Sequence, residues 1–131
     1  MVTPLPFSTP PGAALKDLDN DQLATMKAGG VPVIDIRRPA EGELTGVIEG
    51  SCLLPFFDER NNYDLDAWLA AFDKIADRDK PFILVCRHGV RTSHLGRYLD
   101  GRPDFSHVCH LRNGIAGWIE EGRPVVPPRG G

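Results

Sequence analysis

Apolar residues gather along the chain into blocks of two kinds. Val31-Pro32-Val33-Ile34-Asp35-Ile36 and Pro81-Phe82-Ile83-Leu84-Val85-Cys86 are short, nearly continuous apolar runs, as expected of strands covered on both faces. From Asp64, by contrast, Leu65, Trp68, Leu69, Phe72, Ile75 and Ala76 recur at three- and four-residue steps, which predicts an amphipathic helix. Asp19 or Asn20 can cap a short helix running through Leu23 and Met26, and Gly29-Gly30 supplies the left-handed stop. Glycines 46 and 50 and Pro55 surround Cys52-Leu53-Leu54, so Gly46 to Phe57 reads as a loop leading to a short strand. Thr92 to Asp100 predicts a helix with Leu95, Tyr98 and Leu99 on one side. His107 to Leu111 and Ile115 to Glu121 then predict a last strand and a last helix. Strands alternating with helices favour a parallel sheet with helices on both faces, an α/β fold.

Composition narrows the class. The 131 residues are 41% hydrophobic and 25% charged, with a net charge of −3, which suits one globular domain and offers no general positive field for nucleic acid or anionic lipid. Met1 to Gly12 carries four prolines and neither a basic start nor a continuous apolar core, so an irregular extension is expected there and no export signal is read. No apolar run approaches the length of a membrane span, and the expectation is a soluble, cytoplasmic protein. The three cysteines include no CxxC pair, so each is expected to be a free thiol.

One loop concentrates the chemistry. Ligands in open parallel sheets bind beyond the carboxyl ends of the strands, and Cys86 ends a buried run just before a helix. In Cys86-Arg87-His88-Gly89-Val90-Arg91-Thr92-Ser93 the backbone N–H groups can converge near a helix amino terminus to hold an anion. The same setting, with two arginines, favours thiolate over thiol and hence a nucleophile. Gly89 permits a backbone conformation closed to other residues. Arg87 and Arg91 can present forked donors to an oxyanion, and His88 can donate a proton or line the rim.

Four segments together carry a family resemblance: V-I-D-I-R-x-P at Val33 to Pro39, T-G-V-I-E-G-S at Thr45 to Ser51, C-R-H-G-V-R-T-S from Cys86, and L-R-N-G-I-A-G-W ending at Trp118. In order and spacing the chain resembles the rhodanese-like domain family over residues 13–126, leaving the extension 1–12 and a tail 127–131. The resemblance implies an open five-stranded parallel sheet flanked by helices, with Cys86 catalytic and Arg87, His88, Gly89, Val90, Arg91 and Thr92 around the substrate. It also implies a sulfurtransferase: a donor such as thiosulfate leaves its outer sulfur on Cys86 as a persulfide, which passes it to cyanide, a thiol or a sulfur-accepting protein. No metal or organic cofactor is implied. Val47 stands where many members carry histidine, and Asn113 replaces the first glycine of a common pair.

Competing readings are plainer. Related phosphatases and arsenate reductases of similar fold enclose five residues between cysteine and arginine; here four separate Cys86 from Arg91, and position 92 is threonine. A non-catalytic rhodanese-like binding module is the other alternative. Cys52 and Cys109 are expected to be structural, in apolar strand surroundings. His107, Cys109 and His110 are not expected to bind metal, since His110 faces away from the other two in a strand. Asp35 and Arg37 are read as an ion pair fixing loops near the site, Trp68 and Trp118 as core. Asp58, Glu59, Asp64 and Asp66 are read as solvated surface and a helix cap.

Overall fold

The computed structural model describes residues 15–128; the extension 1–12 and the end of the tail lie outside the described residues. Its elements in chain order are β1 Lys16–Leu18, α1 Asn20–Ala28, β2 Val33–Asp35, α2 Pro39–Thr45, β3 Cys52–Leu53, α3 Leu65–Phe72, β4 Phe82–Val85, α4 Val90–Asp100, β5 Val108–Leu111 and α5 Gly114–Glu120. All five strands run parallel in the order β1-β5-β4-β2-β3, as the resemblance implies. The central strand, β4, is buried at every position.

Alternation along the strands divides the core in two. Ile34, Ile36, Phe82, Leu84, Cys86 and Val108 pack with Trp68, Leu69 and Phe72 of α3 and Leu95 and Leu99 of α4. On the opposite face Val33, Ile83, Val85, Cys109 and Leu111 pack with Leu23 of α1 and Ile115 and Trp118 of α5. The inner strands β2, β4 and β5 are thus covered on both faces and buried at every position, which is why the apolar runs carry so few polar positions. Among the described residues no helix is long and apolar enough to cross a membrane.

Local rules account for most helix ends. Asp19 caps α1 in a reciprocal box with Gln22, and the chain leaves the helix through Gly30 at φ +97°, a conformation that favours glycine. Asp64 caps α3 by accepting from the Ala67 amide at 3.0 Å. That helix ends at Phe72, earlier than its apolar stripe predicts, and Ile75 is exposed.

Two elements depart from the sequence expectation. β1 is an edge strand of three residues with only Leu18 buried, too short and too polar to signal itself. Residues 39–45, for which the apolar pattern predicts no element, form α2, a helix with a single buried residue, Gly42. Proline at its first turn fixes φ for helix entry, and Arg37 closes its other end. The Arg37 guanidinium, fully buried, donates to Thr45 Oγ1 at 2.8 Å and to the Gly46 carbonyl at 3.0 Å. It also grips both oxygens of buried Asp35, at 3.0 and 2.8 Å. Asp35 and Arg37 are therefore the ion pair expected from the sequence, tying the end of β2 to the end of α2.

Removing one partner of such a pair strands the other charge in the core. Arg37→Ala is expected to lower unfolding free energy by about 3–5 kcal/mol, measured by urea denaturation.

Candidate functional site

Cys86 follows β4 directly and is 1% exposed. Two groups meet its sulfur: the Gly89 amide donates to Sγ at 3.2 Å, and Thr92 Oγ1 lies 3.4 Å away. Helix α4 begins at Val90, two residues before the sequence-predicted start, with Gly89 as N-cap at φ +90°. The helix amino terminus therefore opens inside the loop, where its unpaired N–H groups favour negative charge.

The loop is fixed by backbone packed on backbone. Ile115 N–H donates to the Cys86 carbonyl and Ala116 N–H to the Arg87 carbonyl, each at 2.9 Å, so the first turn of α5 holds the loop from behind. Two glycines allow the approach. A Cβ on Gly89 would lie 2.0 Å from the Arg112 carbonyl oxygen, and one on Gly114, at φ +65°, would lie 2.2 Å from that of Arg87. Neither backbone can retreat without breaking those hydrogen bonds. Gly89 was visible from the sequence as the loop's flexible point; Gly114, the surviving glycine beside Asn113, has an equal share in holding it.

The structure separates the two arginines. Arg91 is engaged by Glu41 of α2, donating to both carboxylate oxygens at 2.9 and 2.7 Å. Arg87 and His88 are exposed, as is Val90. His88 lines a surface cleft with Asn20, Asn113, Glu120 and Glu121. The Arg91 hydrogen bonds hold the Glu41 carboxyl down to about 2, against the opposing effect of partial burial; the Arg38 amide and the charges of Arg91 and Arg37 add to the lowering. Glu41 carries no local sequence signal for this role, because its partner lies 50 residues away in the chain.

Thr92, fully buried, occupies the place where a phosphatase loop would need arginine. Its hydroxyl lies 2.9 Å from His110 Nδ1, and His110 Nε2 lies 2.5 Å from Asp17 Oδ1. The contact follows from register: Asp17 and His110 are paired across β1 and β5, and on β5 His110 shares the face of Val108 toward α4. His110 thus points away from Cys109, as the strand periodicity predicts, and is engaged by Thr92 and Asp17. Cys109 is buried, and burial pushes its thiol pKa up, in keeping with a structural role. Cys52 is a correction: on the edge strand β3 it is exposed, because β3 has only two residues and one neighbouring strand. Asp58 is more than solvated surface; its carboxylate accepts from the Arg60 and Asn62 amides at 2.8 and 2.9 Å, shaping a loop that Arg38 ties to α2 through the Asp58 carbonyl.

Gly114→Ala is expected to cost at least about 2 kcal/mol, the cost of a forced clash at a left-handed position; thermal unfolding measures it. The Glu41–Arg91 pair sets a pH dependence. Glu41's folded pKa lies below its ordinary 4.5, so the stabilisation is fully present above that value and is lost as pH falls through about 2. Glu41→Gln should therefore be less stable than wild type at neutral pH, with the difference closing as acid approaches that lower limit in paired denaturation curves.

Comparison with known proteins agrees with this architecture. The chain is 28% identical over 118 residues to a sulfurtransferase of Allochromatium vinosum, covering 88% of this chain and 99% of that protein. It is 32% identical over 109 residues to the thiosulfate sulfurtransferase GlpE of Shewanella oneidensis, covering 82% and 96%. The crystal structure of a rhodanese-related protein from Thermoplasma volcanium superposes with a TM-score of 0.64 at 27% identity, covering 86% of this chain and 99% of that one. The family model of the rhodanese-like domain matches residues 19–121, from the cap of α1 through the Cys86 loop to the end of α5, and the chain belongs to that family.

Proposed function

We propose that the protein is a sulfurtransferase in which Cys86 carries the transferred sulfur. The observation that carries the reading is Cys86 itself: a free thiol at the end of the central strand, whose sulfur accepts from the Gly89 amide and lies 3.4 Å from the Thr92 hydroxyl at the amino terminus of α4. These groups suit a sulfur anion, and fixed donors of this kind stabilise charge without reorganising. The names of the relatives give independent support for sulfur transfer.

In the first half-reaction the Cys86 thiolate attacks the outer sulfur of thiosulfate. A new S–S bond forms to Cys86, the bond within thiosulfate breaks, and sulfite leaves with its electron pair. In the second, cyanide or a thiolate attacks the outer sulfur of the persulfide, thiocyanate or a new persulfide departs, and the Cys86 thiolate returns. The protein's contribution is nucleophile, loop donors and orientation; the chemistry as written calls for no metal or organic cofactor. Arg87, exposed at the rim, is the loop cation available to receive an anionic donor, since Arg91 is neutralised by Glu41. The same pairing, with Thr92 in the arginine position, disfavours a phosphatase.

Incubation with thiosulfate followed by intact mass measurement should show one added sulfur on wild type, removed by cyanide with formation of thiocyanate, and none on Cys86→Ser. An unmodified wild type across several sulfur donors, with thiocyanate at background, would favour the non-catalytic binding module instead.

A further inference from the structure

Sulfur transfer as written makes no use of the groups behind Thr92, yet they form a continuous hydrogen-bonded run. Cys86 Sγ to Thr92 Oγ1 is 3.4 Å, Thr92 Oγ1 to His110 Nδ1 is 2.9 Å, and His110 Nε2 to Asp17 Oδ1 is 2.5 Å. Cys86, Thr92 and His110 are 1%, 0% and 3% exposed, whereas the Asp17 side chain is 57% exposed. The run therefore leads from a buried sulfur to solvent across the end of β4, the first turn of α4, β5 and β1.

The proton positions follow from the partners. A carboxylate accepts only, so the hydrogen bond to Asp17 puts the ring proton on His110 Nε2, and a neutral ring then offers a bare acceptor at Nδ1. Thr92 has one proton and three possible acceptors, His110 Nδ1 at 2.9 Å, the Gly89 carbonyl at 3.3 Å and Cys86 Sγ at 3.4 Å; the shortest path leads to the imidazole. Its lone pairs are then open to the Cys86 S–H. Every donor along the run points away from the sulfur.

Resting on the reading of Cys86 as the nucleophile, we propose that Thr92 and His110 form the proton relay that deprotonates it. The S–H proton passes to Thr92 Oγ1 while the Thr92 hydroxyl proton passes to His110 Nδ1. The bonding pair stays on sulfur. The products are a Cys86 thiolate facing the proton it gave to Thr92 and a His110 imidazolium still bonded to Asp17. No proton leaves the protein in this step and nothing is oxidised or reduced.

The charges around His110 fit a ring that starts neutral. Burial pushes its pKa down first, and Arg97 on α4 and Arg112 beyond β5 act in the same direction, while the hydrogen bond and charge of Asp17 oppose them. The thiolate then supplies the second negative neighbour at the moment the ring becomes charged. His110 acts through Thr92 and is a positioning residue; it does not touch the reacting sulfur.

Thiolate ultraviolet absorbance reads the relay without any reagent having to reach the buried sulfur. It is followed against pH in a Cys52→Ser background, each protein being compared with its Cys86→Ser counterpart. His110→Gln is expected to lower the thiolate fraction near neutral pH about tenfold, the equivalent of a shift of one pH unit. Thr92→Val should do the same, the two changes together should do no more, and Thr92→Ser should restore the wild-type profile. Asp17→Asn, at an exposed side chain, should move the profile the same way by less. Should His110→Gln fail to fold, the Thr92→Val and Thr92→Ser pair and Asp17→Asn decide. An unmoved profile in these folded variants, or additive effects of Thr92→Val and His110→Gln, overturns the relay. Persulfide formation is scored separately by mass: a relay shift without sulfur uptake sinks only the sulfurtransferase reading, and sulfur uptake with unmoved profiles sinks only the relay.

Discussion

Backbone packed against backbone at the end of the central strand is the constraint from which the site follows. The loop after Cys86 leans on the turn between β5 and α5 closely enough that neither Gly89 nor Gly114 has room for a Cβ. Amides of α5 close on the carbonyls of Cys86 and Arg87. With its carbonyls turned back toward α5, the loop presents the Gly89 amide to the sulfur. A helix starting immediately afterward adds its own amino-terminal field. The surroundings of the Cys86 sulfur are thus set mostly by main-chain geometry, which few substitutions other than those of the two glycines could alter locally.

Charged side chains do different work at three depths. Asp35 and Arg37 are fully buried and join β2 to α2. Arg91 and Glu41, partly exposed, bind α2 to the base of the Cys86 loop, so α2 is tied to the loop although it contributes little apolar packing. Arg87 and His88 remain at the rim. The two loop arginines, equivalent on the sequence, are thereby divided into one that braces and one that can meet a ligand.

The sheet was legible where its strands are buried on both faces. β2 and β4 read directly from their apolar runs, and α3 and α4 from three- and four-residue spacing. β1 did not, because Lys16-Asp17-Leu18 becomes a strand only through pairing with β5, a contact more than 90 residues distant in sequence. α2 did not, because one small buried residue leaves no periodicity to detect. Within the site, Cys86, Gly89 and Thr92 were accessible from local pattern and resemblance. Glu41, Asp17 and His110 were not assigned there, since each gains its place from strand register or a distant ion pair. Cys52 was misjudged for a related reason: an apolar neighbourhood in sequence does not bury a residue on a two-residue edge strand.

A covalent sulfur carrier has one consequence that a binding module and a direct transfer both lack: it releases sulfite before any acceptor is present. Rapid mixing of the protein with excess thiosulfate alone, with sulfite quantified against protein, tests this most directly. The account predicts a burst of one sulfite per chain that vanishes in Cys86→Ser. Sulfite appearing only after cyanide or a thiol is added, or an equal burst from Cys86→Ser, would contradict it.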